Sequence, residues 1–220
     1  MNKIFRYVPH IWKSLVFNLH YFPFLIAIRL PVLIHRKVML KKLDGRLHLK
    51  SLRTGTIKIG FSGSEFSSDR DGSVLNIQHG ADVELGENIF IGRGSRLSVR
   101  GKLSIGNNLM ISMNGWILCE DKITIKDNVL ISWGTQILDS DQHSVLRNGT
   151  KTKNYGPIEI GNHVWITNKV SILKNSIIPD GTIIGTGSVV RSEIKGKNCL
   201  VAGNPAIIVS ENIQWNLDER

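Results

Sequence analysis

Residues 158–194 read IEIGNHVWITNKVSILKNSIIPDGTIIGTGSVVRSEI, and within them Ile160, Ile166, Ile172, Ile178, Ile184 and Val190 fall six apart without exception. A helix would repeat its apolar face every 3.6 residues and a flat strand every two, so a strict six describes short strands that bend at regular intervals. The fifth position of each hexad is small or β-branched: Val164, Val170, Ser176, Thr182, Ser188 and Ile194. Turn-forming pairs such as Asn162-His163, Asp180-Gly181 and Thr186-Gly187 lie between them.

The same register runs upstream through three triads: Leu85, Ile91 and Leu97, then Ile105, Ile111 and Ile117, then Ile125, Ile131 and Ile137. Three hexads close one coil, so the pattern predicts a parallel β-helix of triangular section whose coils stack at the usual inter-strand spacing. Five triads are regular, and Ile59 and Ile77 suggest one earlier, less regular coil, for a stack on the order of 25–30 Å. Rows of like side chains then build the core without helices. A sandwich of short strands does not hold a six-residue beat over this length.

Composition adds a second region. Of the 28 Lys and Arg in the chain, ten fall in residues 1–50 against the single acid Asp44, so most of the formal charge of +10 sits there. That segment also holds Phe5, Tyr7, Trp12, Phe17, Tyr21, Phe22 and Phe24. We therefore divide the chain into a basic, aromatic, partly helical N-terminal extension (1–50), the solenoid (51–208) and a C-terminal tail (209–220). The uncharged run Ser14–Ile28 is interrupted by Asn18, His20 and Pro23 and is too short to cross a bilayer. Its mixture of aromatic and basic residues suits either a helical cap over the first coil or peripheral contact with an anionic membrane. Nucleic acid is not expected, because the basic residues form no groove-tracking stripe. Cys119 and Cys199 stand apart and outside any metal-binding spacing, which points to a reducing cytoplasm.

The beat fails once, between Ile137 and Ile160. The inserted loop, residues 138–157, reads LDSDQHSVLRNGTKTKNYGP and carries Asp139, Asp141, His143 and Arg147. Long loops on a rigid scaffold are favoured places for function, and a histidine beside two acids is equipped to act as a general base near neutral pH.

The hexads together with ISWGTQILDSDQH (131–143), GPIEIGNHVWIT (156–167), IIGTGSVV (183–190) and VAGNPA (201–206) resemble the left-handed β-helix acyltransferases of the hexapeptide-repeat family, most closely its sugar O-acetyltransferases, including those of polysaccharide gene clusters. The resemblance covers about residues 85–208, and the first fifty residues resemble an extension found on some polysaccharide-cluster members. It implies a left-handed coil, acetyl-CoA as co-substrate without a metal, a sugar or glycan acceptor, a homotrimer with sites between subunits, and a cytoplasmic location.

The resemblance also assigns roles. His143 matches the general base, with Asp139 or Asp141 orienting it. Asn114 matches an acceptor-sugar residue, and Trp133 stands near the loop as rim packing or a sugar platform. Trp165 matches a tryptophan near the pantetheine channel. Asn168 and Thr186 match positions whose backbone lines that channel, and Gly187 keeps its wall narrow. Ile207 and Ser210 stand where relatives carry basic residues for the coenzyme phosphates, leaving Arg191, Lys195 and Lys197 to supply that charge. N-acylation of an amino sugar on a nucleotide or lipid carrier is the alternative reaction. A zinc enzyme on the same solenoid would need three histidines, and only His143 and His163 lie in the right part of the chain.

Overall fold

A computed structural model of the chain describes residues 8–62 and 72–216. Lys3, Phe5, Arg6 and Tyr7 of the basic extension and the last four residues of the tail lie outside them. The chain winds through three parallel sheets in turn. Sheet A stacks Val32–Ile34, Ile57–Phe61, Ile89–Gly92, Met110–Ile111, Leu130–Ile131, Trp165–Ile166, Ile183–Ile184 and Leu200–Gly203, and Ala206–Ser210 closes it antiparallel. Sheet B stacks Met39–Leu43, Val74–Ile77, Arg96–Val99, Trp116–Cys119, Gln136–Leu138, Ser171–Leu173 and Val189–Val190. Sheet C stacks Arg46–Leu49, Asp82–Leu85, Lys102–Ile105, Lys122–Ile125, Ile158–Ile160 and Ile177–Ile178. This is the parallel β-helix expected from the hexads, of the left-handed kind that the resemblance implies.

The hexad residues are its core. Ile91, Ile111, Ile131, Ile166 and Ile184 pair in register down sheet A and are all buried. Each isoleucine meets a β-branched aliphatic residue above and below, Ile59 at one end and Val201 at the other, which is close packing of like shapes rather than a mixed core. Fifth-position hydroxyls are buried as well, and each bonds backward to satisfy its polarity: Ser176 to Leu173 O (2.6 Å), Thr182 to Pro179 O (2.8 Å) and Ser188 to Gly185 O (2.6 Å). The corner between sheets C and A is held by a carboxamide and carboxylate ladder. Asp127 Oδ1 accepts from Asn107 N (2.6 Å), Asn162 Oδ1 from Asp127 N (3.2 Å) and Asp180 Oδ1 from Asn162 N (2.8 Å).

The solenoid begins earlier than its hexads indicate. Val32–Ile34, Met39–Leu43 and Arg46–Leu49 form a complete first coil inside the segment assigned to the extension, so the boundary falls at Val32 rather than at residue 51. A register shift between Leu40 and Leu43 hides that coil's beat, and a long connection between Phe61 and Val74 hides the next. Sheet A accordingly runs taller than expected, about 34 Å over its parallel strands at the usual inter-strand spacing.

Helix α1 (Val8–Tyr21) and a short helix α2 (Phe24–Ala27) precede the first coil. α1 lies along the open edge of Val32–Ile34 and satisfies its unpaired backbone with side chains. Asn18 donates to Val32 O (2.7 Å) and accepts from Val32 N (3.2 Å), while Ser14 Oγ accepts from Ile34 N (2.8 Å). Lys13 donates to Val38 O (2.6 Å) and Phe17 inserts into the core. The expected cap is therefore present, made from polar residues that replace the missing strand.

Candidate active site

The 138–157 loop is an ordered arm. It leaves sheet B at Leu138 and re-enters the solenoid at Ile158 on sheet C. Asp141 N donates to Asn154 O (2.8 Å), Gly156 N to Asp139 O (2.9 Å), Ser140 and Tyr155 form an antiparallel bridge, and Leu146–Arg147 pairs with Thr150–Lys151 at the far end. Gly156 has no room for a side chain, since a Cβ there would lie 2.1 Å from the Asn175 Oδ1 atom. Lys153 sits 4.5 Å above the Tyr155 ring.

The three titratable residues of ISWGTQILDSDQH play different parts. Asp139 is buried, and its two carboxylate oxygens accept from Glu120 N (2.8 Å) and Asp121 N (2.9 Å). It anchors the arm to the coil before it. Burial pushes its carboxyl above the usual range, and the backbone donors only partly oppose this. Asp141 is ion-paired with Lys174 from the following coil. Neither carboxylate is hydrogen-bonded to His143 among the described residues. Both carboxylates are engaged elsewhere, because the arm needs them to stay attached. His143 is exposed, and its ring makes no hydrogen bond among the described residues. Directly before it, Gln142 adopts φ +61°, held by its N–H to Ser140 Oγ (3.0 Å). A left-handed residue other than glycine or asparagine is costly and turns the chain so that His143 projects from the arm.

A second group of expected residues converges along the A–B corner. Asn114, Trp133, Asn168 and Thr186 occupy successive coils there, tied by Gly134 N to Met113 O (3.1 Å), Lys169 N to Trp133 O (3.0 Å) and Gly187 N to Asn168 O (3.1 Å). Thr186 Oγ1 donates to Asn168 Oδ1 (2.8 Å). The backbone N–H groups of Asn168 and Thr186 make no hydrogen bond among the described residues. Trp165 projects from sheet A beside this corner, its indole donating to Ser132 Oγ (3.4 Å). The expected tail is packed against it: Trp215 stacks on His163 at 4.3 Å and donates to His163 O (3.0 Å).

The remaining expected residues separate. Arg191 follows Val189–Val190 at the B–C corner, the same corner as the arm. Lys195 and Lys197 line a groove on sheet C with Lys126, Glu159 and Glu193, away from Thr186. They do not join Asn168, Thr186 and Gly187 around one ligand in this chain, because sheet B separates that corner from Arg191, and Lys195 and Lys197 lie beyond it on the sheet C side.

Sequence reasoning missed three residues. Lys174 pins the arm. Arg96 lies 4.6 Å over the Trp116 ring, and both line a cleft of about 450 Å³ with Leu118, Leu138, Ser140 and Asp141, between the arm's base and sheet B. The signal was present as a spacing of twenty, one coil, which stacks Arg96 on Trp116 in register.

No family model matches the chain. Over 61 residues, 28% of the chain, it is 36% identical to WbbJ of Escherichia coli K12, named for lipopolysaccharide biosynthesis O-acetyl transfer, of which this covers 31%. Over 69 residues, 31% of the chain, it is 38% identical to the galactoside O-acetyltransferase of Escherichia coli K12, covering 33% of that protein. The chain thus spans about a third of the length of these two relatives. Among solved structures, the polySia-specific acetyltransferase NeuO superposes with a TM-score of 0.60 at 19% identity, over 85% of this chain and 91% of that one, a likeness of fold. Fold and matched stretches together make this chain similar to the hexapeptide-repeat acyltransferases of the sugar O-acetyltransferase type.

Proposed function

We propose that the chain transfers the acetyl group of acetyl-CoA to a hydroxyl of a sugar or glycan, in the cytoplasm, at sites shared between copies of a homotrimer. One observation carries this reading. The candidate residues divide between two edges of sheet B, with His143, Lys174 and Arg191 along one and Asn114, Trp133, Asn168 and Thr186 along the other. A strand of four residues separates those edges by roughly 13 Å, so within one chain the two sets do not face each other. A head-to-tail ring sets the first edge of each copy against the second edge of the next.

The outward rows of the sheets support such a ring. Sheet A presents Phe90, Met110, Leu130 and Trp165 in register, and sheet B presents Leu118, Leu138 and Leu173. Sheet C presents His48, Glu84, Ser104, Thr124 and Glu159. The apolar rows on sheets A and B, bordered on sheet B by Arg96, Gln136 and Ser171, suit contacts within a closed ring in which the polar sheet C meets water.

In this reading the His143 imidazole takes the proton of the acceptor hydroxyl as its oxygen attacks the thioester carbonyl carbon. The new C–O bond forms, the C–S bond breaks, and the imidazolium returns the proton to the departing thiolate, leaving an acetyl ester and free coenzyme A. The unbonded N–H groups of Asn168 and Thr186 suit the pantetheine amides and the developing oxyanion. Asp139 and Asp141 hold the arm.

The test is thiol release from acetyl-CoA against a panel of free sugars, amino sugars and glycans. His143→Ala is expected to lose 10²–10⁴-fold in rate, roughly the range of general base catalysis. Undiminished activity on every responding acceptor overturns the assignment, and activity confined to amino sugars moves the reaction to N-acylation.

A further inference from the structure

We propose that the outer face of α1 and α2 docks the protein on an anionic lipid bilayer, lying in the headgroup region without crossing it. α1 has its polarity reversed for a helix that only caps a core. The side turned to the first coil carries Ser14 and Asn18, fully buried and bonded to a strand edge, beside Phe17. On the wheel of a 3.6-residue helix, the opposite side carries Trp12, Val16 and Leu19, all exposed, and the exposed Ile11 lies on the flank next to Asn18. α2 continues the same character, with Phe24 and Leu25 and the following Ile28 exposed. Trp12 and Leu25 are each 70% exposed. The cap's own hydrogen bonds are made by the buried side, so folding gives no reason for an apolar outer side that includes a tryptophan. Burial of that side in an interface does.

Charge identifies what covers it. Arg29, Arg36, Lys41 and Lys42, on the segment after α2 and on the first coil, are exposed and have no carboxylate within ion-pair distance among the described residues. Asp44 is the single acid among residues 1–50. A second copy seated face to face would bring two such basic sets together. A bilayer containing acidic lipid attracts them, each basic residue near the surface adding to the binding. At 14 residues α1 is about 21 Å long, short of a hydrocarbon core of about 30 Å, and no helix among the described residues is long and apolar enough to cross a membrane. The face therefore lies on the surface. This inference does not depend on the acetyl-transfer reading.

The experiment is flotation of the full chain with phosphatidylcholine vesicles, with and without phosphatidylglycerol, comparing wild type with Trp12→Ser/Leu25→Ser. Wild type is expected to float with the acidic vesicles, less so as salt rises, and the variant to bind roughly tenfold less. Phe24→Ser/Ile28→Ser should repeat the loss from α2 alone, and circular dichroism checks that each variant is folded. Equal flotation of wild type and folded variants, or indifference to phosphatidylglycerol, overturns the proposal. So does a smaller assembly of either variant in sedimentation velocity, which would identify the face as a contact between copies. Acetyl transfer to a soluble acceptor should be unchanged in both.

Discussion

The Lys174 ammonium reaches back from the coil after the arm to the Asp141 carboxylate, and it also donates to Lys153 O (3.1 Å), so one side chain clasps both strands of the arm that carries His143. The pair is partly exposed, which limits its share of global stability to about 1 kcal/mol or less. Its effect is local. An arm held at two points presents His143 in fewer positions than a free one.

Lys174→Ala should therefore lower kcat/KM roughly tenfold while shifting unfolding by no more than about 1 kcal/mol. Tryptic cleavage at Arg147, Lys151 or Lys153 should be faster in the variant. An arm that is cut no faster would show that other contacts hold it.

Asp139 is expected to matter for stability more than for proton transfer. Asp139→Asn replaces one of two acceptors by a donor facing Asp121 N–H, at a cost of about 1–3 kcal/mol. The sign of its pH effect follows from its raised carboxyl. A native state that holds the proton more tightly than the unfolded chain is favoured as pH falls, so Asp139 does not drive acid unfolding. The pH profile of kcat/KM should keep its inflection in Asp139→Asn. A shift of about one pH unit or more would restore Asp139 as the group that orients His143.

His35 should make the cap sensitive to acid. Its ring is buried against His10 of α1 at 4.3 Å and accepts from Lys37 N (3.2 Å), and burial, His10 and the nearby Arg93, Arg36 and Lys37 push its pKa down to about 4. The unfolded chain then binds the extra proton first. Stability from neutral His35 is complete above about pH 6.5 and falls as pH drops towards 4, by up to about 3 kcal/mol. Urea unfolding of wild type and His35→Phe at several pH values should show a smaller loss over that window in the variant. Equal slopes would remove His35 as the cause.

A shared site predicts complementation. His143→Ala and Asn114→Ala chains are each expected to be poorly active alone. Unfolded together and refolded as mixed rings, they should recover about a quarter of wild-type activity, since random head-to-tail pairing joins the two intact edges at one contact in four. No recovery from confirmed mixed assemblies would place both residues in one chain's site.

Much of this molecule was legible along the chain. The inward columns of Ile91–Ile184 and their neighbours stand where the hexads put them, and the one break in the beat is where the arm leaves. The first coil was not legible, since the shift at Leu40–Leu43 and the connection after Phe61 interrupt the period that would have marked it. How the cap bonds was not legible either, because Ser14 and Asn18 look like ordinary helix interruptions until the strand edge they bond to is known.

Sequence alone determined the coil and the place of the arm, because a six-residue period is a local property: each turn is set by residues adjacent in the chain. Only the tertiary structure decided that Asp139 anchors, that Asp141 is bound by Lys174, and that Asn114 and His143 stand on opposite edges of sheet B. Those relations join residues a coil or more apart. Which side chain meets which is then set by the stacking of coils and by the path of the arm between them.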